Sequence, residues 1–148
     1  MNLKVSRLFI HTFLLALISA GLFVACEHST PVANDNNNQG LQPTLSSIQK
    51  EIFTPKCVSV GCHPGNGAPM SLRNGESHRN LVGANSDYTI GGQRLKRVVA
   101  GDPDQSVLYL KVVGDNRVFT RMPQGAAALS SEEVGAIRDW IEDGAQDN

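Results

Sequence analysis

Cys57-Val58-Ser59-Val60-Gly61-Cys62-His63 puts two thiols and an imidazole within seven residues. Two cysteines with a histidine directly after the second form the pattern of covalent haem attachment. Each thiol can add to one vinyl group of the ring, giving two thioethers along one side. The following histidine is then carried beneath the iron, where its imidazole serves as an axial ligand. The usual pattern has two residues between the cysteines; this chain has four. The vinyl groups lie a fixed distance apart, so the longer segment must bulge, and Gly61 beside Cys62 eases a bulge.

A second axial ligand must come from elsewhere, and Met122 in Arg121-Met122-Pro123 is the candidate, 59 residues after His63. Its thioether is a soft donor suited to haem iron, and His/Met ligation raises the reduction potential. Met122 as plain core and His78 as a rival ligand are the alternatives, but His78 reads better as an exposed residue. Arg94, Lys96, Arg97 and Arg121 are candidates to pair with haem propionates, since guanidinium and ammonium groups suit carboxylates. Phe53, Leu72, Leu81, Leu108 and Trp140 are candidate pocket walls or ordinary core. No Ser-His-Asp arrangement, phosphate loop or paired-carboxylate signature is present. Only three plausible ligands cluster around the cysteines, and a closed zinc site needs four.

These residues need a scaffold, and the periodicity predicts a mainly α domain. Leu45, Ile48 and Ile52 share one face of a helix over about 45–53, with Thr44 or Ser46 as cap and Thr54-Pro55 as its end. A second helix is expected from Asp102-Pro103, where Asp102 caps, through Val107, Leu108, Leu110 and Val112 to a stop at Gly114. Ser130 and Glu133 form a capping box for the last helix, whose Val134, Ile137, Trp140 and Ile141 share a face before Gly144. A short helix is expected over about 76–82. Long alternating β-branched runs are absent.

The start of the chain has another job. Lys4 and Arg7 precede an apolar run from Leu8 to Ala25, the pattern of a secretory signal over 1–25. Val24-Ala25-Cys26 resembles a lipobox, which makes Cys26 the expected lipidation site and also accounts for the odd third cysteine. Residues 26–43 are rich in Asn, Asp, Gln, Ser and Pro and read as a flexible tether, with His28 solvated within it. The folded domain is then expected over 44–148. Without Lys4 and Arg7 the remaining chain carries 11 basic against 14 acidic side chains, a formal charge of -3. No basic stripe points to nucleic acid.

The order of motifs is a first helix, Cys57-x4-Cys62-His63, Met70-Ser71-Leu72, Arg97-Val98-Val99-Ala100-Gly101-Asp102-Pro103, Ser106-x-Leu108, Arg121-Met122-Pro123, Leu129-Ser130 and Trp140-Ile141-x-x-Gly144-Ala145. This order resembles the c-type cytochrome-like domains of bacterial lipoproteins, related to the planctomycete-type cytochrome c family, over about 47–146. The resemblance implies one covalent haem c attached through Cys57 and Cys62, with His63 proximal and Met122 distal. It also implies N- and C-terminal helices packed across each other around the haem. The expectation is a monohaem electron carrier outside the cytoplasm, held to a membrane by lipid at Cys26 and working with redox partner proteins. Two other readings stay open: a haem enzyme or sensor with an open iron position, and a haem-free domain with a Cys57–Cys62 disulfide.

Overall fold

A computed structural model of the chain describes residues 40–65 and 70–148. The signal over 1–25, the lipidation site Cys26 and the tether as far as residue 39 lie outside the described residues. Among the described residues, no helix is long and apolar enough to cross a membrane.

The first helix, α1 (Leu45–Ile48), starts at Thr44, whose hydroxyl accepts the Ser47 amide. It then runs without a break into a π-helix, Gln49–Val58. The expected stop at Thr54-Pro55 is therefore corrected: the helix continues past the proline. Pro55 has no N–H, and in an α-helix its ring collides with the carbonyl four residues back. Bonding here shifts to the carbonyl five residues back, as in Ser59 N–H to Thr54 O at 2.9 Å, which widens the turn around the ring. Buried Gln49 fastens this stretch, donating to Thr54 Oγ1 and to the Leu72 carbonyl and accepting from Ser77 Oγ. Just before α1, Leu41 packs on the core and the Gln42 amide donates to Ser47 Oγ, so the ordered packing begins within the segment expected as tether.

The short helix α2 (Ser77–Leu81) lies where expected. A hairpin follows that the sequence reading did not foresee: β1 (Asn85–Ile90) pairs antiparallel with β2 (Gln93–Lys96). Gly91 and Gly92, both at positive φ, make its two-residue turn. The helix expected from Asp102 is split. A 3-10 turn, Pro103–Gln105, is capped by Asp102 Oδ1. Ser106 is then extended, and α3 (Val107–Val113) begins after it. The cause is buried Ser106, whose hydroxyl accepts the Val99 amide and donates to the Asp102 carbonyl. Gly114 ends α3 in the left-handed conformation, as expected.

A further 3-10 turn, Asn116–Val118, leads to the Met122 loop and then to α4 (Ser131–Glu142). The Ser130–Glu133 capping box is complete in both directions. Leu45, Ile48, Ile52 and Phe53 of the first helix share one core with Ala136, Ile137, Trp140 and Ile141 of α4. The two terminal helices are thus packed together in a helical-leaning fold that also carries a two-stranded sheet.

Candidate functional site

The wide helix delivers Cys57 near its end, and the chain then reverses. The Gly61 amide donates to Val58 O at 2.9 Å, with Gly61 at φ 82, and the His63 amide donates back to Cys57 O at 2.9 Å. The residues beyond the usual spacing are thus taken up in a tight turn, Val58–Gly61, as the glycine foretold. His63 O in turn accepts the Leu72 amide.

His63 Nδ1 lies 3.3 Å from the Met70 carbonyl oxygen. A carbonyl only accepts, so Nδ1 carries the proton in this contact, and in the neutral ring that tautomer leaves the lone pair on Nε2. An imidazole oriented in this way is suited to ligation through Nε2.

Cys57 and Cys62 are free thiols, so they are not joined as a disulfide. They differ in surroundings. Cys62 is exposed and contacts Val60 O at 3.9 Å. Burial pushes the Cys57 thiol up to about 11, with the Cys62 thiol adding to the shift. At neutral pH Cys57 is a protonated thiol rather than the low-pKa thiolate of cysteine catalysts.

Cys57, Cys62, His63 and Met122 all line one cavity of about 240 Å³. Its walls are mostly apolar. Ile52 and Phe53 come from the first helix, Leu81 from α2, Leu108 and Val112 from α3, and Ile137 from α4, with Leu72 and Leu129 from loops. Of the expected wall residues, Phe53, Leu72, Leu81 and Leu108 are found there. Trp140 is not; it is buried in the core, and its indole N–H donates to the Gln146 carbonyl at 2.9 Å. Met122 is held from α3, its amide donating to Lys111 O at 2.9 Å.

Of the basic candidates, Arg97 lines the cavity and donates to the Asn80 carbonyl. Arg121 buries Nη1 with no hydrogen-bond partner among the described residues. A buried guanidinium nitrogen left unpaired calls for an acceptor. Arg94, Lys96 and Arg121 do not line the cavity, and Lys96 Nζ donates to Asn85 Oδ1 instead. His78 is half-buried rather than exposed: it is tied by Nε2 to Ala145 O at 2.9 Å and lies outside the cavity lining.

Several lining residues were missed. Ser86, Asp87 and Tyr88 line the cavity from the unforeseen strand β1. Met70 lines the cavity and is a second thioether there. Lys111 is buried on α3 and lines the cavity too. Its signal was legible: it stands four residues after Val107, on the apolar face of its helix. No group of three or more His, Cys, Asp or Glu side chains that could hold a metal ion occurs among the described residues. No protein-family model, curated protein or solved structure matches the chain.

Proposed function

We propose that this domain is a monohaem c-type electron carrier, with haem c attached to Cys57 and Cys62 and ligated by His63 and Met122. The observation that carries this reading is the single apolar cavity lined by two free thiols, an imidazole and a thioether. The residues fit the group. Two thiols five positions apart, with His63 adjoining Cys62, are the attachment set. The imidazole is left with Nε2 free by the Met70 contact. Arg97 brings to the cavity wall a basic side chain suited to a propionate, while the buried Arg121 Nη1 is next in sequence to Met122 but outside the cavity lining.

Met70 is the weaker distal candidate. Its carbonyl is already bonded to His63 Nδ1, on the side of the imidazole away from Nε2, whereas Met122 arrives on a separate loop. Bound haem supplies one-electron chemistry at iron. The chain's own part is to hold Nε2 and the Met122 thioether at fixed positions, to keep the ring in apolar surroundings, and to fill both axial positions so that no substrate enters. The proposal extends to the N-terminus: export by residues 1–25, lipid at Cys26 as a membrane anchor, and redox proteins outside the cytoplasm as partners.

The test is intact mass and visible spectrum after expression with c-type haem maturation. Covalent haem adds about 616 Da, and His/Met ligation gives a low-spin spectrum with a sharp reduced α-band. Unmodified mass without absorbance, beside a control cytochrome that matures normally, would sink the proposal. A mass about 2 Da below that of the reduced chain would then assign a Cys57–Cys62 disulfide.

A further inference from the structure

Lys111 is only 8% exposed, yet it is a lysine on the inward face of α3. A buried ammonium is costly unless its three N–H groups find partners. Its Nζ donates to the Val118 carbonyl at 2.7 Å and to the Thr120 carbonyl at 2.8 Å. It also sits 4.5 Å from the centroid of the Tyr88 ring, a cation–π distance. Two carbonyls and one aromatic face therefore satisfy the whole ammonium. The backbone of the same residue acts as well, since Lys111 O accepts the Met122 amide at 2.9 Å. One residue thus grips the loop at Val118, Thr120 and Met122.

That loop resists its own conformation. Phe119, between the two gripped carbonyls, has φ 58, the left-handed region that side chains rarely adopt, and its ring is 84% exposed. An exposed ring has little burial of its own to hold it there, and it meets only the Tyr88 ring among aromatics, at 6.4 Å and tilted. Such strain persists only where surrounding contacts impose it. Here the imposing contacts are the two bonds from Nζ on either side of Phe119.

We infer that Lys111 is a positioning residue that clamps the 118–122 loop and so holds the Met122 thioether at the cavity. The inference rests on the proposed haem ligation for its consequence at iron, but not for the clamp itself. Removing the ammonium frees both carbonyls and leaves Met122 anchored by one backbone bond. The loop then opens more often, and the distal position is no longer closed. Lys111 also brings positive charge to the cavity wall, which favours the reduced state of a bound redox centre.

The experiment compares the wild-type full chain with Lys111→Met, which keeps a long unbranched side chain without charge. The first readout needs no haem: trypsin cleavage after Arg117 and Arg121 in the haem-free chain. Cleavage through local opening follows the open population, and K111M is expected to be cut roughly tenfold faster, the loss of two charge-assisted hydrogen bonds being large enough for that. The second readout uses the haem-loaded chain. K111M is expected to bind carbon monoxide where wild type does not, to lose the Met–iron charge-transfer band, and to show a lower reduction potential. Equal cleavage rates, or a loaded K111M with unchanged band and potential, would overturn the inference. If neither chain takes haem, the proposed function fails and the cleavage readout still decides the clamp. Should K111M not fold, Tyr88→Leu, which removes only the aromatic face, is expected to speed cleavage by a smaller factor; no change would overturn the clamp equally.

Discussion

At His63 the direction of one hydrogen bond settles which nitrogen is available. Because Nδ1 donates to Met70 O, Nε2 is the nitrogen available for ligation, and Met122 lines the same cavity. Under the proposed ligation, Met122→Leu is expected to keep a haem-sized mass increase but to turn high-spin and bind carbon monoxide. His63→Ala is expected to lose the low-spin spectrum altogether. The two thiols lend themselves to a simpler check in the haem-free chain. Cys62 is exposed, while Cys57 is protonated up to about pH 11 by burial. Iodoacetamide at pH 8 is expected to label Cys62 first, by roughly tenfold or more, read by peptide mass. A raised thiol value also links to stability. Its contribution is full below the unfolded value of about 8.5 and is lost as pH rises toward about 11. Alkaline thermal melts of Cys57→Ala are expected to lack that decline. The thiols, imidazole and thioether of this site were legible from residue type and order. Lys111 was overlooked despite its place on the apolar face of α3, because a lysine reads as solvated until its helix face is assigned, and Tyr88 depends on a hairpin.

Among the elements, α4 and the first helix are joined at their polar edges as well as their apolar faces. Glu133 both closes the α4 capping box and pairs with Lys56 of the wide helix. Burial alone would raise its carboxyl, but the bonds from Lys56 and from the Ser130 amide outweigh burial and hold it below the usual value. Stability from Glu133 is thus present above the unfolded carboxyl value of about 4.3 and is lost as pH falls through the lowered one. Glu133→Gln is expected to flatten that acid limb in thermal melts, and Ser130→Ala to cost about 1 kcal/mol in denaturant unfolding. At the end of α3, Gly114 does two jobs. It takes φ 80, and a Cβ there would meet Arg121 Cδ at 3.1 Å. Gly114→Ala is expected to destabilise by about 1–2 kcal/mol and to disturb Arg121, the neighbour of Met122. The capped helix and the glycine stops were readable because each is a local signal of known offset. The continuation past Pro55 was not, since a proline normally ends an α-helix and nothing local announces a wider register. The hairpin carried a local signal, Gly91-Gly92 between Tyr88-Thr89-Ile90 and Gln93-Arg94-Leu95, that was overlooked for want of long alternating flanks.

The whole molecule depends on contacts between its two ends. Trp140, 1% exposed, lies in the core shared by the first helix and α4. Trp140→Ala is expected to cost about 3–5 kcal/mol, a large part of the roughly 5–15 kcal/mol of an ordinary domain. The site shares that dependence, because Ile52 and Phe53 of the first helix and Ile137 of α4 are walls of one cavity. The chain is made N-terminus first, so this arrangement also sets an order of events. Cys57, Cys62 and His63 emerge long before α4 does, and the first helix has no partner for its apolar face until then. For that interval Cys57 is as open to reagents as Cys62, and final closure of the domain ends the interval. A chain cut before Ser130 is expected to stay in the open condition, with both thiols alkylated at similar rates. The last helix thus sets the moment at which Cys57 is shielded, while Cys62 stays open to reagents in the finished fold.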